Sequence, residues 1–204
     1  MRGIHRTLPA PVRQARLGNG LTVLACRRPG HPVVACMVWY RVGARDEGAG
    51  ETGTAHFLEH LTFKGTLRYG RGVIDAVTAR LGGYNNAFTD HDATSYVFLF
   101  ASDRWEAALE IEADRMRECR LDAEEFEAER RVVLEEMRMS QDDPWRDLYQ
   151  EASAALYLAH PYRRPVLGWE GDVRKASREG VLSFYRRHYR PENATVVLVG
   201  DLEP

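Results

Sequence analysis

The chain has 204 residues, of which 44% are hydrophobic and 28% charged, enough to bury a substantial core as one domain. A formal net charge of −2 without a basic stripe argues against a nucleic-acid-binding protein. No stretch approaches the apolar length of a membrane span, and the N-terminus lacks an apolar signal core. Cys26, Cys36 and Cys119 lack C-x-x-C spacing and are predicted to be free thiols. We therefore expect a cytoplasmic protein without membrane contact.

Strand-like and helix-like patterns are mixed along the chain without strict alternation. In chain order we predict strands at 21–27 and 33–42, helices at 53–64 and 71–81, strands at 84–89 and 94–101, helices at 103–118, 122–141, from Pro144 and at 171–188, and a strand at 194–200. The Pro-Gly-His-Pro turn at 29–32 is typical of a hairpin between the first two strands. This order predicts an α+β fold with helices on one face of a largely antiparallel sheet.

The pentad His56-Phe57-Leu58-Glu59-His60 has the composition of half a metal site. In a helix, His56 and His60 share one face, and two imidazoles at that spacing can bind one zinc ion. Glu59 lies on the rim of that face, where a carboxylate can reach a water molecule at the metal as general base. The order H-x-x-E-H is typical of inverzincin peptidases. Two histidines four apart can also be a surface or core coincidence.

A third ligand is available on the helix predicted at 122–141. Glu129 and Glu136 are seven residues apart and project from one side, so Glu136 could complete a His2Glu site with an open fourth position. Glu129 could then hydrogen-bond a ligand imidazole. Glu135 is an alternative ligand, although it points about 100° away from Glu136 on a regular helix.

Five segments together resemble the pitrilysin-like peptidases, the family of insulin-degrading enzymes and mitochondrial processing peptidase. Residues 42–66, VGARDEGAGETGTAHFLEHLTFKGT, resemble the active-site segment of that family. The other four, in order, are LGNGLTVL (17–24), LGGYNNAFTDHDATSY (81–96), ERRVVLEEM (129–137) and HPYRRPVLG (160–168). In the family the zinc-binding glutamate follows the second histidine by about 76 residues, and 136 minus 60 is 76. The resemblance therefore implies Glu136 rather than Glu135.

The resemblance also implies roles for the site residues. His56, His60 and Glu136 would hold one zinc ion per chain, and Glu59 would be the general base. It further implies that Asn86 and Ala87 lie on an edge strand that pairs with an extended peptide.

Two short polar segments admit another interpretation. Asn85-Asn86 taken alone would be typical of a turn. Asp90, His91 and Asp92 could ligate a metal, but Asp residues commonly flank turns, so we predict a turn there.

We therefore expect residues 1–204 to form a single zinc-binding domain of a zinc-dependent endopeptidase acting on extended peptides. The chain stops at Pro204, where the family continues with a helical segment and a second homologous half. The alternative function is an incomplete or non-catalytic subunit that binds zinc but needs that half or a partner chain. On either interpretation we expect a homo- or hetero-oligomer, with the isolated chain inactive.

Overall fold

A computed structural model describes residues 11–203, so both ends of the predicted domain, residues 1 and 204, lie outside the described range. The elements in chain order are β1 (Arg13–Arg16), β2 (Thr22–Arg27), β3 (Val33–Tyr40), α1 (Thr54–Thr62), α2 (Val73–Arg80), β4 (Tyr84–Thr89), β5 (Thr94–Ala101), α3 (Glu106–Glu118), α4 (Ala123–Gln141), α5 (Pro144–Leu156), α6 (Glu170–Lys175), α7 (Arg178–His188) and β6 (Ala194–Gly200).

The six strands form one sheet in the order β1-β2-β6-β3-β5-β4. Only β2 and β6 run parallel, and the other four neighbouring pairs are antiparallel. This confirms the predicted α+β fold with a largely antiparallel sheet. The predicted hairpin between the first two strands is wrong, because β6 lies between β2 and β3 and pairs with both. The turn reverses the chain but leaves a gap one strand wide, which the last strand fills.

Two other elements differ from the sequence prediction. Strand β1 was not predicted, because all four of its residues are exposed and they show no apolar alternation. The helix predicted at 171–188 is divided into α6 and α7. Ser177 begins the second helix, where its side chain accepts a hydrogen bond from the backbone N–H of Gly180. This is ordinary N-capping, which satisfies a free N–H in the first turn.

The core lies between one face of the sheet and the helices. Alternate residues of β3 are buried, and they belong to the same cluster as residues from α1, α3, α4 and α7. The members from β3 and α1 are Val34, Cys36, Val38, Tyr40, Ala55, Phe57, Leu58 and Leu61. Because α1 supplies buried residues on most of its surface, the position of its two histidines is fixed by the core. None of the helices within 11–203 is both long and apolar enough to span a bilayer.

Candidate metal centre and peptidase site

The start of α1 is fixed by a close approach of two glycines. Gly53 precedes the helix with φ of 84°, a left-handed conformation that favours glycine. A Cβ atom on Gly53 would lie 2.5 Å from the carbonyl oxygen of Leu167, and one on Gly168 would lie 2.5 Å from the Gly53 Cα. Any side chain at either position would therefore push the 165–169 loop away from the helix that carries the histidines.

A buried carboxylate supports the same end of α1. Glu47 is 3% exposed and accepts hydrogen bonds from the backbone N–H groups of Gly53, at 2.9 Å, and Ala55, at 2.8 Å. Burial raises the pKa of Glu47 to about 8, although these two hydrogen bonds oppose the rise. Glu47 was not predicted from the sequence, because it lies seven residues before the helix and not at the position that capping residues usually occupy.

Three side chains converge at the junction of α1 and α4. The Nε2 atoms of His56 and His60 lie 3.7 Å and 3.4 Å from Oε2 of Glu136. One ligand atom from each residue lies within 4.8 Å of the other two, the one such group within residues 11–203. Tetrahedral zinc with bonds of about 2.0–2.1 Å needs ligand atoms about 3.3 Å apart, close to these separations. The donor set therefore fits zinc.

The protonation of His56 and Glu136 also bears on this fit. Burial, followed by the neighbouring His60, lowers the pKa of His56 to about 4. The buried Nδ1 of His56 has no hydrogen-bond partner within the described part of the chain, whereas its Nε2 faces Glu136. A hydrogen bond from His60 lowers the pKa of Glu136, so it is a carboxylate. A neutral imidazole and a carboxylate are the forms that bind a metal.

Glu129 contacts the other nitrogen of His60. Its Oε2 lies 3.3 Å from His60 Nδ1, and its Oε1 lies 2.7 Å from Nζ of Lys64. Burial lowers the pKa of His60, but the contacts with Glu136 and Glu129 outweigh this and the pKa is raised. Glu135, in contrast, pairs with Arg138 at 2.8 Å on the exposed side of α4. Glu129 and Lys64 therefore orient His60, and Lys64 was not identified from the sequence.

Glu59 lies between the histidine pair and the edge of the sheet. Burial raises the pKa of its carboxyl group, and the hydrogen bond from Thr89 opposes the rise. That bond joins Thr89 Oγ1 to Glu59 Oε2 at 2.5 Å. Glu59, His60 and Glu129 line one open cavity of about 200 Å³. The carboxylate is thus accessible to a water molecule or a substrate at this cavity.

Asn86 and Ala87 lie on β4, which pairs only with β5 among the described residues and so forms an edge of the sheet. The turn interpretation of Asn85-Asn86 is wrong, because both belong to the strand. The Asn86 side chain accepts a hydrogen bond from the backbone N–H of Ala87 at 2.9 Å.

The segment after β4 is a turn, as predicted. Asp90 Oδ1 accepts hydrogen bonds from the backbone N–H groups of Asp92 and Ala93. Asp92 pairs with Arg45 at 2.7 Å, and it accepts a hydrogen bond from the Tyr162 hydroxyl. The two aspartates are therefore occupied in structural contacts.

A larger cavity of about 380 Å³ adjoins one of the three candidate ligands, Glu136. It extends from Glu136 to His91 and is bounded by α5 and the 162–167 loop. Trp145 and Tyr149 of α5 line it and are 79% and 68% exposed. This cavity was not predicted from the sequence, since it is formed by residues distant in sequence.

Known families and solved structures similar to this chain are peptidases. Residues 22–169 match the family described as insulinase (peptidase family M16), and residues 175–204 match the peptidase M16 inactive domain. A zinc protease of Helicobacter pylori, PqqE, is 36% identical over 188 residues, 91% of this chain and 42% of its own. An uncharacterized zinc protease of Mycobacterium leprae is 38% identical over 195 residues, 95% of this chain and 44% of its own.

Solved structures agree with these relatives. The crystal structure of a protease from Helicobacter pylori has a TM-score of 0.92 and 34% identity, over 95% of this chain and 47% of that one. The first half of the periplasmic protease PqqL from Escherichia coli has a TM-score of 0.86 and 26% identity, over 96% of this chain and 44% of that one. The chain thus spans less than half the length of these relatives. It belongs to the insulinase family of peptidases, M16.

Proposed function

We propose that this chain is the metal-binding domain of a zinc-dependent endopeptidase that cleaves extended peptides. The observation that carries the proposal is the convergence of His56, His60 and Glu136 within 4.8 Å, with Glu59 on the same helix as the two histidines. The names of the relatives as zinc proteases support the choice of metal and of reaction class.

His56, His60 and Glu136 would hold one zinc ion, and Glu129 would fix the His60 ring through Nδ1. Such hydrogen bonds to a ligand imidazole set its tautomer and orientation. When bound, zinc supplies Lewis acidity, which polarises the scissile carbonyl and acidifies water. Three protein ligands are typical of catalytic zinc sites, which leave one position open, whereas structural sites usually have four.

Glu59 would be the general base. Its carboxylate lies at the same cavity as His60 and carries a raised pKa, which suits a group that must both accept and release a proton. It would accept a proton from the attacking water and then deliver it to the leaving amine. Because Glu59 directly precedes the ligand His60 on α1, its carboxylate would lie near the reacting carbonyl.

The substrate would lie along β4. The unpaired edge of this strand would offer backbone N–H and C=O groups to an extended peptide, and Asn86 and Ala87 lie at its middle. A peptide bound there would replace the Asn86 side chain as the acceptor for the Ala87 N–H. The 380 Å³ cavity beside Glu136 would receive a neighbouring substrate side chain. Because Trp145 and Tyr149 line it, an apolar side chain is expected there.

A second homologous segment would complete the enzyme. The matched relatives are more than twice as long as the aligned chain, and α5 has no buried residue among the described ones. Trp145, Leu148, Tyr149 and Leu156 form its exposed apolar side. The alternative function, a zinc-binding subunit that is silent alone, rests on the same observations. A peptidase assay of the chain alone and with the remaining half separates the two.

The test compares two glutamine variants in the assembled protein. Glu59→Gln should retain zinc while hydrolysis of a quenched fluorescent peptide falls by about 100- to 10,000-fold. Glu136→Gln should lose zinc, because a neutral amide is a poorer ligand than a carboxylate. Glu135→Gln, one residue away on the exposed side of α4, is the control and should change neither. Zinc loss in Glu59→Gln with retention in Glu136→Gln would reverse the assigned roles.

A further inference from the structure

The carboxylate of Glu59 is held on one side only. Its Oε2 accepts the hydrogen bond from Thr89 Oγ1 at 2.5 Å, and within residues 11–203 no other side chain or backbone N–H donates to this carboxylate. Oε1 therefore has no protein partner in the described chain. An arrangement with one oxygen fixed and the other available is what a base needs if it is to accept a proton in a defined direction.

Thr89 is itself held firmly. It is the last residue of β4 and pairs with Thr94, the first residue of β5, so its backbone is fixed by the sheet. Threonine has a branched Cβ that restricts its first side-chain torsion, which limits where the hydroxyl can point. Glu59, in contrast, has a long flexible side chain that loses rotamer freedom only where a contact holds it.

We propose that Thr89 is a positioning residue for Glu59. This inference rests on the proposed function, because it assumes that Glu59 is the general base. The hydroxyl holds Oε2 and leaves Oε1 without a protein partner, on a side chain that lines the same cavity as His60. Since Thr89 ends the strand proposed to receive the peptide, it also links the substrate-binding edge to the base. A catalytic group displaced by about 1 Å can lose about 100-fold in rate.

The kinetic test uses matched variants of the assembled peptidase. Thr89→Val keeps the branched shape and removes the hydroxyl, whereas Thr89→Ser keeps the hydroxyl. We expect Thr89→Val to lower kcat about 10- to 100-fold with KM and zinc content unchanged, and Thr89→Ser to recover most of the loss. Thr195→Val is the control. Thr195 is a half-buried strand residue like Thr89, but it lies on β6, which two strands separate from β4 in the sheet. On a Glu59→Gln background, Thr89→Val should cause no further loss.

Crystal structures of wild type and Thr89→Val provide a second measurement that needs no activity. Glu59 should occupy one rotamer in wild type and Thr89→Ser, and should move or become disordered in Thr89→Val. An unmoved Glu59, or an equal fall in kcat for Thr89→Val and Thr89→Ser, would overturn the positioning role. An inactive wild type would count against the proposed function alone, and the position of Glu59 in the crystals would then decide the inference.

Discussion

Charged side chains are buried in several places within residues 11–203, and two of these places are built differently. Beside the metal ligands, Glu129 contacts both His60 and Lys64, one through each oxygen. Between α3 and the sheet, Glu112 pairs with Arg115, and these two are 3% and 0% exposed. The first cluster borders an open cavity of about 200 Å³. The second, the enclosed pair, is almost free of solvent, although Glu112 also lines a cavity of about 320 Å³.

The enclosed pair is only partly hydrogen-bonded. Within the described residues, Oε2 of Glu112 and the Nε and Nη2 atoms of Arg115 have no partner. The Arg115 guanidinium instead lies over aromatic rings, 4.5 Å from the Tyr96 centroid and 4.8 Å from that of Phe63. Cation–π contacts partly replace the lost hydration. Burial of charge alone therefore does not identify a functional site, which also needs converging ligand atoms.

The largest effect is expected from removing a ligand of the first cluster. His60→Ala should lower zinc affinity by at least about a thousandfold, because a site with two remaining ligands is far weaker than one with three. Cys119→Ser, in the core near Arg115, should leave zinc binding intact. Elemental analysis measures the zinc content of each purified variant, and X-ray absorption identifies the ligand atoms. A sulfur shell around the zinc, or a normal zinc content in His60→Ala, would show that the ligands have been misassigned.

The next effect belongs to the enclosed pair and should appear in stability, not in zinc binding. Arg115→Met leaves Glu112 without its partner and should lower the free energy of unfolding by about 3–5 kcal/mol. Arg117→Met, on the exposed side of the same helix, should change it by less than about 0.5 kcal/mol. Denaturant unfolding gives both values. A zinc deficit in folded Arg115→Met would contradict the separation of the two clusters.

A pH series sharpens the same contrast. Burial raises the pKa of Glu112 to about 7, with Arg115 opposing the rise. Between its ordinary value of 4.5 and about 7, the folded state therefore keeps a proton that the unfolded state releases. The associated stability is complete below 4.5 and is lost as pH rises to about 7.

Because glutamine cannot ionise, Glu112→Gln removes this dependence. Wild type should lose about 3 kcal/mol relative to the variant over that range, measured by unfolding at several pH values. The exposed Glu110→Gln should keep the wild-type slope. If wild type instead gained stability relative to Glu112→Gln as the pH rose, the attraction of Arg115 would outweigh the effect of burial on the pKa of Glu112.

Sequence patterns located the elements that carry the site. The predicted bounds of β4 and β5 agree with the structure, and α1 and α4 differ only at their ends. Helical spacing places His56 beside His60, and Glu129 on one side of α4 with Glu136, because these relations are local. The choice of Glu136 over Glu135 came from the resemblance, not from spacing.

Contacts between distant segments could not be predicted in this way. Glu47, Lys64 and Thr89 look like ordinary loop, surface and strand residues, and their roles depend on what lies opposite them in the fold. Glu47 accepts hydrogen bonds at the start of α1, and Lys64 pairs with Glu129 of α4. Thr89 of β4 donates a hydrogen bond to Glu59 of α1. The position of β6 between β2 and β3 is non-local in the same sense.

The smallest effect is expected from Glu129, which contacts the ligand His60 without being a ligand itself. Glu129→Gln removes the negative charge that contacts Nδ1 of His60 and Nζ of Lys64. His60 therefore becomes a weaker and less oriented ligand. Zinc affinity should fall about 10- to 100-fold, the range typical of such supporting groups. Glu125→Gln, one turn earlier on α4 and paired with Arg71 at 2.6 Å, is the matched control.

Competition with a chromophoric chelator measures both affinities on folded protein. Equal affinities in Glu129→Gln, Glu125→Gln and wild type would mean that Glu129 is only a partner for Lys64. A loss in Glu129→Gln that Lys64→Met reproduces would instead show that Lys64 acts on zinc through the orientation of Glu129. In that case the contrast between the two clusters is functional: charge buried beside the metal tunes a ligand, and charge buried in the core supports packing alone.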